Sequence, residues 1–353
     1  MHRLVAIEAR GQRFVDGLRA AWDDGDAILP VDPRLPAPAA DALVEAMAAG
    51  APVEPGVALV VPTSGTTGGP KGVQLTHAQV AASAEATSSH LGIDPGRHRW
   101  LACLPLAHVG GLSVVTRAWH TGTGLEVHDG FDADAVDDAA HRGCTHVSLV
   151  GTALARIDAA AWTCIVLGGS APPADRPPNA VATYGMTETG SGVVYDGVAL
   201  PGVELEVAAG EILVRGPMVA TSYRDGTPVV DPEGWLHTGD LGELRGGVLT
   251  VHGRRGDMII TGGENVHPDP VERRLRQHPS VADAAVVGRP DPEWGQRVVA
   301  IVELTPGQPV PSLAEVRDWV RAELPAWSAP KDLEVTDALP RTSLGKVRRA
   351  ALR

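Results

Sequence analysis

Ten consecutive residues, Thr63-Ser64-Gly65-Thr66-Thr67-Gly68-Gly69-Pro70-Lys71-Gly72, hold the densest anion-binding chemistry in the chain. Glycines ahead of Lys71 let backbone N–H groups approach a ligand closely, the hydroxyls add donors, and Lys71 adds positive charge. That combination suits a polyphosphate. It is not a P-loop, because Pro70-Lys71-Gly72 stands where Gly-Lys-Ser/Thr is required. Lysine is otherwise scarce: of 30 cationic residues only Lys71, Lys331 and Lys346 are lysines. A G+C-rich coding bias explains the abundance of arginine but not the places where lysine survives. A compact ammonium at a crowded phosphate is not replaced by a planar guanidinium without moving the donors. Lys331 has no role beyond surface charge at this level.

Several function classes are excluded by composition. The chain has 353 residues, 43 acidic against 30 basic, and a net charge of −13. Such an acidic balance repels polyphosphate backbones, so nucleic-acid binding and attachment to anionic membranes are not expected. With 44% hydrophobic and 21% charged residues the chain is globular, and its length suggests two or three domains. No apolar run reaches the ~20 residues that span a bilayer, and no secretory signal core is visible. Cys103, Cys144 and Cys164 are too few and too dispersed for a disulfide framework or a metal site, which fits a reducing cytoplasm. The histidines show no zinc spacing.

The phosphate loop needs a strand before it, and Val57 to Val61 supplies one; Gly72 to Leu75 reads as a strand or turn and a helix starts near Thr76. Upstream, Ile7 to Trp22 reads as a helix, LPVDPRLPAPAA as an extended connector, and Asp41 to Ala49 as a short helix. WLACLPLAHVGGLSVVTRAW combines a strand, a Gly-broken turn and an apolar helix, while CTHVSLVG and CIVLGGSAP are short buried strands. This alternation implies an α/β architecture with a largely parallel sheet. From about 200 to 253 shorter alternating segments with Gly turns suggest a β subdomain, and strand and helix units resume beyond GRRGDMI. The expected division is therefore a domain of residues 1–255 and a smaller α+β domain of residues 256–353.

Five segments in order carry a resemblance: the Thr63–Gly72 loop, Tyr184-Gly185-Met186-Thr187-Glu188-Thr189, Gly234-Trp235-Leu236-His237-Thr238-Gly239-Asp240, Gly253-Arg254-Arg255-Gly256-Asp257, and Pro340-Arg341-Thr342-Ser343-Leu344-Gly345-Lys346. Together they resemble the adenylate-forming superfamily of acyl-CoA synthetases, luciferases and adenylation domains. The resemblance implies a large ATP- and acid-binding domain followed by a small mobile C-terminal domain. Only 62 residues precede Thr63, so it also implies a shortened N-terminal segment, with a homodimer as one way to cover the flank.

By that resemblance, Thr63, Ser64, Gly65, Thr66, Thr67, Gly68 and Lys71 hold the phosphates of ATP. Gly169, Ser170, Ala171, Tyr184, Gly185 and Met186 line the adenine site, Thr187 reaches the α-phosphate, and Glu188 is a Mg²⁺ ligand. Asp240 takes the ribose hydroxyls and Arg254 lies near ribose and phosphate. A carboxylate suits two hydroxyl donors, and Mg²⁺ prefers hard oxygen. Asp257 is the implied hinge, and Lys346 the lysine that contacts the reacting carboxylate and phosphate oxygen. Gly262, Gly263 and Asn265 match the stretch that serves the pantetheine arm of CoA.

For the acid, Leu104 to Leu112 with His108 and Gly110, then Arg117, and the continuation through Thr189 and Ser191 look most like the 2-succinylbenzoate:CoA ligases of menaquinone biosynthesis. Such an acid has two carboxylates, and Arg117 could pair with the one that does not react. A synthetase for another aryl or short aliphatic acid, an adenylation module, and a non-catalytic nucleotide-binding protein are the alternatives.

Overall fold

The computed structural model describes residues 2–63, 70–169, 172–173, 175–341 and 347–353. They form two compact units. One comprises Met1–Glu206, Leu213–His237 and Gly246–Leu249; the other comprises Val207–Ile212, Thr238–Arg245 and Thr250–Arg353. The chain passes between the units within the β-rich stretch that follows residue 200. Among the described residues no helix is long and apolar enough to cross a membrane.

In the first unit one sheet runs in the order Leu4–Glu8, Ala27–Val31, Val57–Thr63, Lys71–Thr76 and Ser222–Tyr223. The first three strands pair in parallel and the last two pairings are antiparallel. Two expectations are corrected here. Leu4–Glu8 is a strand and the helix begins only at Gly11, running to Asp23. Ala27–Val31, which runs into the start of the Pro-rich stretch, is a fully buried strand. Helical periodicity and Pro content are local signals, whereas Leu4–Glu8 pairs with Ala27–Val31 across the intervening helix. The next helix is Ala37–Ala46, beginning at Pro36 as its cap and so ahead of the expected Asp41.

The other strands of this unit include a parallel array ordered Gly124–Val127, Arg99–Ala102, His146–Val150, Cys164–Gly168 and Ala180–Gly185. Gly192–Tyr195 then returns antiparallel to Ala180–Gly185. Leu101, Val147, Leu149, Ile165 and Leu167 from these strands meet Val136 and Ala139 of the helix Ala133–His141 in one buried cluster. The helices His77–His90 and Val109–Thr121 also belong to this unit. The first of them starts on a reciprocal cap: Gln79 N–H donates to Thr76 Oγ at 3.2 Å and Thr76 N–H to Gln79 Oε1 at 2.8 Å.

In the second unit Glu264–Val266, Ile259–Thr261, Gly295–Leu304 and Val281–Asp291 form an antiparallel sheet, and Asp332–Val335 joins Gly295–Leu304 in parallel. Strand alternation divides its residues between two faces. Ala284, Val286, Val298 and Ala300 pack against Val271 and Leu275 of the helix Pro268–Arg276 and Val316 and Val320 of Leu313–Arg321. Ala285, Val287, Val299 and Ile301 form the other cluster, with Leu339 and the tail residues Val347 and Leu352. Both helices present their apolar residues at i, i+4, and each such side chain fully buried contributes about 1.5–3 kcal/mol.

Candidate active site

The phosphate loop begins and ends on one antiparallel strand pair. Thr63 stands opposite Lys71 in the register, and Thr63 Oγ donates to the Lys71 carbonyl at 3.3 Å. Ser64, Gly65, Thr66, Thr67 and Gly68 lie outside the described residues, as do Ser170, Ala171 and Lys346. The Lys71 ammonium sits 4.9 Å from the ring centroid of Tyr223. The hydroxyl of that same tyrosine donates to Glu188 Oε1 at 3.1 Å. Burial and the Glu188 charge push the Tyr223 phenol well above its ordinary pKa, so it remains a donor. The structure thus connects Lys71 to Glu188 through Tyr223, a residue the sequence reading did not identify. Its signal was faint: two strand residues, Ser222–Tyr223, paired with a strand far earlier in the chain.

Glu188 and Thr187 occupy a short 3₁₀ turn, Thr187–Thr189, between the antiparallel strands Ala180–Gly185 and Gly192–Tyr195. Tyr184, next to last in the first strand, is half-buried and stands opposite Val194. The neck of this turn is narrow. A Cβ added to Gly185 would fall 2.2 Å from the Ser191 carbonyl oxygen and 2.6 Å from Gly192 Cα. Inside the turn the buried Thr189 hydroxyl accepts from Met186 N–H at 2.9 Å and lies 2.7 Å from the Ser191 carbonyl. Gly169 follows the strand Cys164–Gly168 at φ +88°.

Arg117 and Ser191 come together although 74 residues separate them. Arg117 lies on the helix Val109–Thr121 and is 2% exposed. Its Nη2 donates to Ser191 Oγ at 3.3 Å, and that hydroxyl lies 3.3 Å from Ser113 Oγ. Arg117 Nε and Nη1 are buried and have no hydrogen-bond partner among the described residues. Burial lowers the guanidinium pKa, and the groups that oppose this are Tyr195 and Cys164 rather than a carboxylate. A fully buried cation without a counter-ion is costly unless something outside the chain completes it.

His108 caps the same helix, and Gly110 is exposed in its first turn. His108 Nε2 lies 3.6 Å from Asp32 Oδ2. Burial lowers the His108 pKa despite that carboxylate, which favours a neutral imidazole. Asp32 is itself held by Arg34, whose Nε donates at 2.8 Å and backbone N–H at 3.0 Å. Burial raises the Asp32 pKa, but those bonds outweigh it and keep the carboxyl below its ordinary range. Asp32 was hidden from the sequence reading inside a stretch taken for a connector.

The second unit holds another group of the singled-out residues. Asp240 is buried, and Arg254 Nε lies 2.9 Å from its Oδ1. Thr238 Oγ donates to the Ile212 carbonyl at 2.7 Å and accepts from Asp240 N–H at 3.0 Å, which fixes the strand at that carboxylate. Gly262 and Gly263 form the exposed turn between Ile259–Thr261 and Glu264–Val266, with φ of +61° and +84°, and Asn265 is exposed beside them. Asp257 belongs to the 3₁₀ segment Arg255–Asp257. The tail arginines engage it: Arg349 Nη1 donates at 3.2 Å and Arg353 Nη2 at 2.6 Å. Arg349 Nε also donates to Glu272 Oε1 at 3.0 Å, Nη2 donates to Glu272 Oε2 at 2.8 Å, and Nη2 bonds Asp269. Burial alone lowers the pKa of this guanidinium, yet Glu272, Asp269 and Asp257 raise it far above the ordinary arginine value.

Among the described residues no three or more His, Cys, Asp or Glu side chains are arranged as a metal site. One carboxylate oxygen donor, Glu188, is the appropriate protein contribution for Mg²⁺ shared with phosphates and water. The cysteines are free, and burial raises Cys103 to about 12, so none is poised as a nucleophile.

The AMP-binding enzyme family model matches residues 29–224, and the AMP-binding enzyme C-terminal domain model matches residues 270–346. The chain is 42% identical over 342 residues to a probable 2-succinylbenzoate–CoA ligase from Mycobacterium tuberculosis, covering 88% of each. It is 36% identical over 340 residues to a 2-succinylbenzoate–CoA ligase from Bacillus cereus, covering 83% of this chain and 69% of the relative. Its fold is similar to o-succinylbenzoate coenzyme A synthetase from Bacillus subtilis in complex with ATP and magnesium, with a TM-score of 0.86 and 30% identity, covering 99% of this chain and 89% of that one. The same enzyme in complex with its acyl-adenylate intermediate aligns with a TM-score of 0.81 and 30% identity, covering 99% and 88%. The fold is thus the α/β architecture of adenylate-forming enzymes.

Proposed function

We propose, for a chain that belongs to the AMP-binding enzyme family, the activity of an AMP-forming acid:CoA ligase whose acid is 2-succinylbenzoate, as in menaquinone biosynthesis. The observation that carries this choice of acid is Arg117: a buried guanidinium with two donor nitrogens left for an acceptor. One carboxylate of a diacid reacts while the other accepts from the unmatched guanidinium donors in a charge-assisted contact. Ser191, Thr189, His108 and Gly110 complete the acid pocket.

In the first half-reaction a carboxylate oxygen of the acid attacks the α-phosphorus of ATP. The bond to the β-phosphate bridge breaks, giving acyl-adenylate and pyrophosphate. Lys71 and the hydroxyls from Thr63 to Thr67, with Gly65 and Gly68, hold the departing phosphates, and Thr187 meets the α-phosphate. Glu188 would hold Mg²⁺, which would supply charge neutralisation at the phosphates. Tyr223 restrains the Glu188 carboxylate by its hydroxyl and faces the Lys71 ammonium with its ring, so the two charges are pre-positioned before ATP arrives. Tyr184, Gly185, Met186 and Gly169 to Ala171 receive adenine, Asp240 receives the ribose hydroxyls, and Arg254 approaches the ribose and phosphate. Lys346 contacts the reacting oxygens.

In the second half-reaction the CoA thiol loses its proton and attacks the acyl carbon, whose bond to AMP breaks. Gly262, Gly263 and Asn265 guide the pantetheine arm, and Asp257 is the hinge between the two steps.

ATP–pyrophosphate exchange with 2-succinylbenzoate beside other aryl acids, followed by detection of the CoA thioester, tests the reading. Exchange driven by the diacid is expected. Exchange with aryl monoacids but not the diacid overturns the substrate, and silence with every acid overturns the reaction. Lys346→Ala is expected to slow adenylation by about 10²–10³-fold while thioester formation from supplied acyl-adenylate persists; equal loss of both steps removes Lys346 from this role.

A further inference from the structure

Arg117 is held by an aromatic face rather than by an acid. Trp100, on the strand Arg99–Ala102, is fully buried, and the Arg117 guanidinium carbon lies 4.8 Å from its ring centroid. A protein carboxylate at that position would attract the cation more strongly, but would also occupy its N–H groups. The negative face of an indole attracts a cation without accepting those hydrogen bonds. Trp100 Nε1 is buried and, among the described residues, has no partner either. Two side chains in contact therefore present three unmatched donors. Where both ends of a buried contact are donors, the missing group is an acceptor.

His146 lies on the neighbouring strand with its ring centroid 5.1 Å from that of Trp100. Burial, together with His98 and Arg117, lowers its pKa to about 4, so it adds no second cation near neutral pH. Its Nδ1 lies 2.9 Å from Thr145 Oγ. Near neutral pH the buried group of Trp100, Arg117 and His146 thus carries one charge, on Arg117.

We infer that Trp100 is a positioning residue that selects diacids: its indole holds the Arg117 guanidinium in place of a protein counter-ion and so leaves unmatched guanidinium donors for the substrate's second carboxylate. This rests on the reading of Arg117 given above. Trp100 does not touch the reacting atoms, so its removal acts on recognition of the spectator group rather than on the chemical steps.

The experiment compares kcat and KM for 2-succinylbenzoate and for monoacid analogues that keep the reacting carboxylate and lack the other, in wild type, Trp100→Phe, Trp100→Leu and Arg117→Met. Trp100→Leu is expected to raise the diacid KM by about tenfold and Trp100→Phe by about threefold, as the weaker face retains part of the attraction. Monoacid KM values and kcat are expected to stay within about twofold. A KM rise shared equally by diacid and monoacids, a fall in kcat alone, or no change overturns the inference, because each is what a merely core-filling tryptophan gives. If Trp100→Leu does not fold, the diacid-to-monoacid KM ratio of Trp100→Phe decides. A changed ratio in Arg117→Met with none in the Trp100 variants removes only this inference. No change in Arg117→Met removes the reading of Arg117 itself.

Discussion

Arg117 in the first unit and Arg349 in the second are opposites. Arg349 reaches Asp257, Asp269 and Glu272, and Glu272 is further tied by the Val286 backbone N–H at 2.8 Å and Arg276 at 3.3 Å. Arg117 is more deeply buried yet meets a tryptophan face and one hydroxyl. The same side chain performs two tasks, and the surrounding charge distinguishes them. A buried cation surrounded by acids is a fastener. A buried cation without an acid is a receptor, and the stability it forgoes is recovered when a ligand arrives.

The largest test of this contrast is a pair of truncations. Arg349→Ala takes one partner from each of three carboxylates, one of them buried, and is expected to destabilise the second unit by about 3 kcal/mol in denaturant unfolding. Arg117→Met removes an uncompensated charge, so its folded state is expected to be as stable as wild type or more so, while the diacid KM rises on the order of 10²-fold. Equal destabilisation by both substitutions breaks the comparison.

A second test uses protons. His146 binds a proton in the unfolded chain at its ordinary value of 6.5 but in the folded chain only near 4. Its neutral form therefore stabilises the fold fully above pH 6.5; that contribution is lost as pH falls from there to about 4, and amounts to about 3 kcal/mol. His146→Gln is expected to flatten stability across this window. Unchanged acid sensitivity in that variant means that the first unit tolerates a second cation beside Arg117 after all.

The smallest effect sharpens the fastener side. Arg353 also bonds Asp257 at 2.6 Å, but it is 43% exposed. Arg353→Ala is expected to cost less than about 1 kcal/mol by the same denaturant measurement. A loss as large as that of Arg349→Ala relocates the fastening to the exposed terminus.

Much of this was legible in the sequence where the determinants are local. The Thr63–Gly72 loop, the Tyr184–Thr189 turn and the alternating strands announce themselves in a few consecutive residues. Tyr223 and Trp100 did not, because each acquires its meaning from a partner on another element: Glu188 and Lys71 for the first, Arg117 for the second. Leu4–Glu8 and Ala27–Val31 were misread for the same reason, since they are strands only through pairing with each other and, for Ala27–Val31, with Val57–Thr63. Arg117 was visible as a residue type at a plausible place, but its lack of a counter-ion among the described residues is a three-dimensional fact.

The narrow neck beneath Glu188 has a consequence for how this turn can evolve. Gly185 admits no side chain against the Ser191 carbonyl and Gly192, and Thr189 ties both ends together from within. The ordering entropy of the turn is therefore spent once, when the chain folds, and not again at each turnover. Substitutions at 187 and 188 can exchange one donor or acceptor for another without lengthening the span on which they sit. Substitution at 185 forces the two strands apart and moves every group on the turn at once. Chemical variation at this turn is thus open at its tip and closed at its base.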